Sequence, residues 1–392
     1  MHPPGADVVL VRHGDVNTKS TPVKRYMEGI LIENLEAILS DRSVPGEVER
    51  RWNRPLIHTT DAAVAEATAA AADTFGIVSA SAALTVTPET DAICDALADT
   101  ARDCYDGGSF AIEAHRAEKD LAFTSRDVAF DGGDAVRAAV TDEFEPKVDL
   151  ENPDLTFGVE VHEDAAFVFL EKVPGPGGLP LRTQAPMLAL ISGGIDSPVA
   201  AYEIMKRGSP VIPVYVDLGD YGGPDHEARA METIRTLARY APNVEMPVYR
   251  VPGGDTVSLV AEAMEEGRML SLRRFFFRVA EHLAERVDAA GIVTGEALGQ
   301  KSSQTAQNLT VTSRATTLPV HRPLLTWDKQ EIVARAREIG TFTDSTIPAG
   351  CNRVAPDRAE TNARLEPLLA AEPDELFDRA AEAAANATLI DL

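Results

Sequence analysis

A strand that runs straight into two glycines and then into a helix leaves a chain few ways to fold. Here MLALIS is an apolar strand, Ser192-Gly193-Gly194-Ile195-Asp196-Ser197 is the turn, AAYEIMKRG is a helix and VIPVYVDL is a second strand. Such a succession within a short span is a βαβ unit with parallel strands. The glycines let the backbone turn tightly and aim successive N–H groups at an anion, and the helix N-terminus adds the positive end of its dipole. A phosphate is the natural occupant. The loop lacks the Gly-Lys-Ser/Thr ending of a Walker A motif and the GxGxxG of a dinucleotide fold. It carries instead a carboxylate, Asp196, where phosphates would lie. Two anions so close need a bridging cation, so Mg²⁺ is expected. A plain strand-to-helix turn capped by Ser192 or Ser197 is the competing reading.

Helix and strand signals go on alternating after the loop. A helix is expected near 225–240, a strand at PVYRV, a helix near 257–286 and a strand at GIVTG. The second half therefore reads as a doubly wound α/β domain with a parallel sheet. Ahead of it, VPGPGGLP at 173–180 reads as an interdomain linker. In the first half, DVVLVR is a strand, and a helix from about Pro22 to Leu39 has Tyr26, Ile30, Leu31 and Leu35 as its apolar face. DAAVAEATAAAADTFG is helical up to Gly76, ALTVT alternates without persisting, and residues 90–102 again look helical. DLTFGVEVHEDAAFVFLE at 154–171 is a hairpin with one buried face.

At 392 residues the chain has length for two or three domains. No apolar stretch approaches the roughly 20 residues a membrane span needs. The apolar run Val8–Val11 is too short for a secretory signal. Cys94, Cys104 and Cys351 make no CxxC pair and no disulfide framework, which points to a reducing, cytoplasmic setting. The net charge of −25 would ordinarily argue against a nucleic-acid partner. But the acidic excess is spread along the whole chain, and only 8 of the 37 basic residues are lysines. That pattern reads as a surface adapted to high salt, where the Debye length falls to about 3 Å at 1 M. A nucleic-acid partner must then be judged on local motifs.

The full SGGxDS between strand and helix resembles the pyrophosphate loop of the ATP pyrophosphatases, which cleave ATP between its α and β phosphates and adenylate a substrate. Further on, Thr294-Gly295-Glu296-Ala297-Leu298-Gly299-Gln300 follows the GIV strand, with Ser302-Ser303-Gln304-Thr305 soon after, and His321-Arg322-Pro323-Leu324 precedes Trp327-Asp328-Lys329. With the early VLVRHGD, these motifs resemble the tRNA 4-thiouridine synthetase family, also called thiamine-biosynthesis sulfurtransferases, from about residue 8 to beyond Cys351. With the acidic composition, this points to a halophilic archaeal member.

The resemblance implies a ferredoxin-like domain at 1–75, a THUMP RNA-binding domain at 76–175 and an ATP-pyrophosphatase (PP-loop) domain at 180–392. Many bacterial members append a rhodanese-like domain with a sulfur-carrying cysteine. None is expected before Leu392, which puts that relay in doubt here. By resemblance the ATP site takes in Leu190, Ile191, the loop Ser192, Gly193, Gly194, Asp196 and Ser197, then Tyr215, Val216, Arg273, Gly295 and Gln304. Read without the family, Tyr215 and Val216 are core strand residues. Arg273 then belongs to a cluster, SLRRFFFR, whose Arg274 and Arg278 lie one helical turn apart on a solvated face over core phenylalanines. Cys351, in the Pro/Gly-flanked IPAGCNR, corresponds to a cysteine that takes part in sulfur transfer in the family. A turn position favours its exposure and Arg353 its thiolate. Cys94 and Cys104 read as ordinary packed thiols. The iron–sulfur CxxC pair of some archaeal members is missing.

The function expected is an ATP-dependent tRNA sulfurtransferase with Asp196 and Cys351 as catalytic residues. The uridine oxygen attacks the α-phosphate, pyrophosphate leaves, and sulfur displaces AMP to give 4-thiouridine. Basic residues Lys19, Lys24 and Arg25 are the expected tRNA phosphate contacts. The expected partners are tRNA and a sulfur donor protein or sulfide, with no membrane, and a homodimer is compatible with the sequence. Two other readings stay open: sulfur transfer to a small carrier protein for thiamine synthesis, and a non-catalytic tRNA-binding protein. Amide synthesis is disfavoured, because no glutaminase-like cysteine lies at the start.

Overall fold

Alternating strands and amphipathic helices give the first part of the chain one large sheet, seen in a computed structural model that describes residues 1–51, 54–117, 121–222, 224–343, 354 and 360–392. Two compact units emerge, Met1–Pro180 and Leu181–Leu392. The first runs β1 (Val8–His13), α1 (Thr21–Asp41), β2 (Glu47–Arg51), β3 (Arg54–His58), α2 (Val64–Ala72) and β4 (Ile77–Val86). It continues with α3 (Thr90–Cys104), β5 (Ser109–Arg116), α4 (Ser125–Val140), β6 (Lys147–Val148), β7 (Leu155–Val161), β8 (Ala166–Phe169) and β9 (Val173–Pro174). Their order in the sheet is β2-β3-β1-β4-β8-β7-β5-β6, with β9 also on β4.

The regions expected at 1–75 and 76–175 thus share one unit and one sheet. The shared strand is β4, which pairs antiparallel with β1 on one side and β8 on the other. The short alternation at ALTVT is the end of this ten-residue strand. Its earlier part hides because Ala80, Ala82 and Ala83 are buried on both faces, so no polar alternation marks it. The hairpin at 154–171 forms as expected, β7 against β8. On α1, Ile30, Leu31 and Leu35 are buried but Tyr26 is exposed. At 3.6 residues per turn, Tyr26 lies roughly 140° round the helix from Leu31. Helix α4 escaped the sequence reading altogether, since Gly132 and Gly133 interrupt its pattern. It packs against α3, and an ideal Cβ on Gly132 would fall 2.6 Å from Leu97.

The second unit bears out the doubly wound α/β expectation. Its elements are β10 (Met187–Leu190), α5 (Asp196–Met205), β11 (Val211–Asp217), α6 (Pro224–Ala238), β12 (Val248–Pro252), α7 (Gly254–Ala263) and α8 (Arg268–Val287). Then come β13 (Ile292–Val293), α9 (Ala306–Ser313), β14 (Val320–His321), α10 (Lys329–Glu338), α11 (Leu365–Ala371), α12 (Leu376–Ala385) and β15 (Thr388–Ile390). The sheet order is β14-β13-β10-β11-β12-β15, parallel except for β15. From β10 the chain steps outward to β11 and β12, then returns to the other side of β10 as β13. The order therefore reverses between β10 and β13, and in such sheets the crevice outside the strand ends at that point is where ligands bind.

Two expectations change. The helix near 257–286 is two helices, α7 and α8, separated at residues 264–267. The supposedly solvated arginine face of α8 is partly core. Arg274 is 2% exposed, donates to Glu372 Oε1 at 2.7 Å and lies 5.2 Å from the Phe377 ring centroid, because α12 packs over it. Arg278 is half-buried and pairs with Glu281 on its own helix. The phenylalanines Phe275 and Phe277 are core, as read.

Gly158 of β7 sits directly opposite Phe169 of β8, and an ideal Cβ there would fall 2.3 Å from the ring. Gly158→Ala should therefore destabilise the first unit by about 1–3 kcal/mol through overpacking. Urea unfolding measures it, and unchanged stability would contradict the packing described.

Candidate active site at the sheet reversal

The loop after β10 is held by its own serines. Ser192 N–H donates to Ser197 Oγ at 3.0 Å, the two hydroxyls are 3.3 Å apart, and Gly194 N–H donates to Ser192 Oγ at 3.3 Å. Helix α5 starts at Asp196, so its free N–H groups face the loop. Asp196 Oδ1 accepts from Lys329 Nζ at 2.6 Å, from the start of α10, and from Gln300 Nε2 at 3.5 Å. A carboxylate and an ammonium thus stand together beside the loop that leads into α5.

Across the reversal, the chain leaves β13 into Thr294-Gly295-Glu296. An ideal Cβ on Gly295 would fall 2.6 Å from the Asp196 carbonyl carbon and 2.7 Å from Ser197 N. Only glycine lets these two strand exits come so close. The next residue, Glu296, is 2% exposed and carries two guanidinium groups. Arg273 of α8 pairs with its Oε1, and Arg322, just after β14, donates through Nε to Oε2 at 2.8 Å. Gln304, its amide turned to donate to the Ala297 carbonyl at 2.8 Å, accepts from Arg273 at 3.0 Å. Arg322 reaches Ser313 Oγ at 2.9 Å, and burial holds its pKa below the usual arginine value.

Of these groups, the loop serines, Asp196, Arg273, Gly295, Glu296 and Gln304 line a cavity of about 480 Å³. Of the residues expected at the site, it gathers Leu190, Ser192, Gly194, Asp196, Ser197, Arg273, Gly295 and Gln304. Ile191 and Val216 line a smaller neighbour of about 60 Å³, which shares Leu190 and Ser192 with the first. Gly193 and Tyr215 line neither, and Tyr215 is 2% exposed in the core. Glu296, Arg322, Lys329 and Gln300 were not singled out from the sequence. The TGEALGQ, RPL and DK motifs that contain them were the available signal.

Asp196 supplies a hard oxygen donor, and one carboxylate completed by phosphate oxygens and water is a usual way to hold Mg²⁺. Among the described residues no three His, Cys, Asp or Glu side chains cluster as a self-contained metal site. Lys19 and Arg25 are exposed in the first unit, whereas Lys24 is half-buried, 3.7 Å from the buried Glu28. Cys94 and Cys104 are half-buried on α3. Burial, then neighbouring carboxylates, raise the Cys94 thiol pKa, and burial raises that of Cys104, which suits inert packing. Cys351 lies outside the described residues. Among them, no helix is long and apolar enough to cross a membrane.

Comparison with known proteins adds the following. Residues 182–377 match the family model for thiamine biosynthesis protein (ThiI), residues 88–171 the THUMP domain and residues 8–81 the ThiI ferredoxin-like domain. A "Probable tRNA sulfurtransferase" of Halobacterium salinarum is 59% identical over 386 residues, 98% of each chain. Another of that name, from Methanosarcina acetivorans, is 40% identical over 377 residues, 93% of this chain and 89% of that one. The crystal structure of a 4-thiouridine synthetase–RNA complex with bound ATP is similar with a TM-score of 0.84 and 27% identity, over 98% of this chain and 99% of that one. PH1313 from Pyrococcus horikoshii shares the fold, with a TM-score of 0.66 and 24% identity over 85% of this chain and 99% of its own.

Removing the carboxylate that holds Arg273 and Arg322 should be costly. Glu296→Ala leaves both guanidiniums without their shared partner, and the second unit should lose about 3–5 kcal/mol. A loss below about 1 kcal/mol in urea unfolding would show that the three groups are not coupled as described.

Proposed function

The chain belongs to the thiamine biosynthesis protein (ThiI) family, and we propose on that premise that it is an ATP-dependent tRNA sulfurtransferase that converts a tRNA uridine to 4-thiouridine. The observation that carries the reading is the serine-pinned loop at the sheet reversal, with Asp196 and Lys329 at its mouth. The loop N–H groups and the α5 N-terminus bind the phosphates of ATP. Arg273, kept in place by Glu296 and Gln304, faces the same cavity and offsets negative charge there. Mg²⁺, held by Asp196 and the phosphates, would supply further charge neutralisation.

Uridine O4 attacks the α-phosphorus, and the bond to the β-phosphate oxygen breaks to release pyrophosphate. The poor oxygen leaving group has become AMP. Sulfur then attacks C4 and AMP departs with the original oxygen. The sulfur is sulfide, or the terminal sulfur of a persulfide on Cys351, in which case a second thiol must reduce the resulting S–S bond. The matched THUMP region favours RNA over a carrier protein as acceptor. Exposed Lys19 and Arg25 are proposed phosphate contacts.

Two substitutions test this. Asp196→Ala should abolish thiolation while tRNA affinity changes by less than about twofold, because the RNA-binding modules lie in the other unit. Full thiolation by that variant would remove the proposed role of the loop. Cys351→Ser should still consume ATP with tRNA but yield no thiolated product from a persulfide donor, and free sulfide should rescue it. A variant as active as the wild type with the persulfide donor would make Cys351 a bystander.

A further inference from the structure

Lysine is scarce in this chain, with 8 among 392 residues, and the second unit holds Lys206, Lys301 and Lys329. Lys206 lies 3.9 Å from Glu203 of α5, and Lys329 is bound to Asp196. Lys301 is different: it is exposed, lines the large cavity and has no ion pair among the described residues. The backbone that carries it is fixed. Gln304 N–H donates to the Lys301 carbonyl at 2.8 Å, and Gly299 N–H donates to the Gln304 carbonyl at 3.0 Å. Asn308, fully buried, donates through Nδ2 to the Ser302 carbonyl at 2.9 Å. A pinned turn thus presents an unmatched ammonium to the cavity, beside the exposed Ser302, which lines it too.

The charges around the cavity say what kind of ligand this ammonium wants. The lining carboxylates are already met, Asp196 by Lys329 and Glu296 by Arg273 and Arg322. The Lys301 charge is therefore surplus, in a chain whose net charge is −25. A surplus cation at a cavity wall draws an anion. The triphosphate of ATP already has the loop after β10, the α5 N-terminus and half-buried Arg273 in the proposed reaction. Lys301 stands exposed at the edge of the same space, where a second anion would arrive from solvent. The nucleic-acid substrate supplies one. O4 lies at the far end of a uridine from its phosphates, so a base whose O4 reaches the α-phosphorus leaves its backbone outside.

We infer that Lys301, helped by the Ser302 hydroxyl, seats a phosphate of the tRNA backbone beside the uridine that reacts. The inference rests on the tRNA reaction proposed above and gives its nucleic-acid substrate a binding residue in the second unit. Such a contact carries no sequence information; it fixes register. An ammonium suits the task, because its three rotatable donors meet a phosphate from several directions. Holding the backbone at the rim favours the inserted base, and so raises the share of bound tRNA that is placed to react.

Thiolation by the full chain, with ATP and a sulfur source fixed and tRNA varied over a salt series, tests this on two substitutions. Lys301→Gln removes the charge, whereas Lys301→Arg keeps it. Lys301→Gln should lose about tenfold in kcat/KM for tRNA, and its dependence on log salt should flatten by about 0.7–0.9, the share of one phosphate contact. Lys301→Arg should stay within about threefold of the wild type. Calorimetry with ATP alone should give Lys301→Gln the wild-type affinity within about twofold, because the contact is to RNA. A Lys301→Gln protein with unchanged kcat/KM, or with a loss that leaves the salt slope as it was, overturns the inference alone. So does a loss of about tenfold in its ATP affinity, which would assign the lysine to the triphosphate. A wild type that thiolates no tRNA with ATP overturns the proposed function and this inference with it.

Discussion

A single buried carboxylate organises the second unit's working end. Glu296 joins three segments that are distant in sequence: the exit of β13, the face of α8 through Arg273, and the turn after β14 through Arg322. The three charges leave water together. That is tolerable only because each carboxylate oxygen meets a guanidinium, and the guanidiniums find Gln304 and Ser313 as further partners. Gly295, one residue earlier, then brings this braced segment against the backbone of Asp196 and Ser197 at the start of α5. The cavity is the space that remains between two strand exits pinned this way.

The first unit solves a different problem, how a Lys-poor, acidic chain holds a long sheet together. Its central strand β4 bridges two sets of elements, and side chains on the strands reinforce the link. Arg12 of β1 reaches Ser81 Oγ on β4 at 2.9 Å and Glu160 of β7 at 3.4 Å. Arg54 of β3 reaches the same Glu160, which also meets His162 at 2.9 Å. These groups are largely buried, so molar salt would screen them far less than exposed pairs. The acidic surplus on the outside is free to interact with salt and water.

Much of this was legible in the sequence, because the signals were local. The turn between β10 and α5, the βαβ unit and the 154–171 hairpin depend on residues close in the chain, and each formed as read. What stayed hidden depends on distant partners. Arg274 looked like a surface charge because Glu372 and Phe377, which bury it, come about a hundred residues later. Glu296 was visible inside TGEALGQ, but nothing local reveals that two arginines converge on it. Strand β4 escaped because buried alanines carry no period, and α4 because two glycines weaken its helical pattern. Tyr215 shows the same limit in reverse: strand pattern alone places it in the core, where it is, while its hydroxyl bond to His226 appears only in three dimensions.

We propose that the cavity at the sheet reversal joins AMP to the oxygen of a tRNA uridine before sulfur arrives. The fate of that oxygen tests it most directly. A tRNA carrying ¹⁸O at O4 of the target uridine, thiolated with ATP and a sulfur source, should release AMP with one ¹⁸O in its phosphate, in step with the thiolated product. Thiolated tRNA formed alongside AMP free of the label would contradict the account, because the oxygen would then have left without ever being bonded to the α-phosphorus.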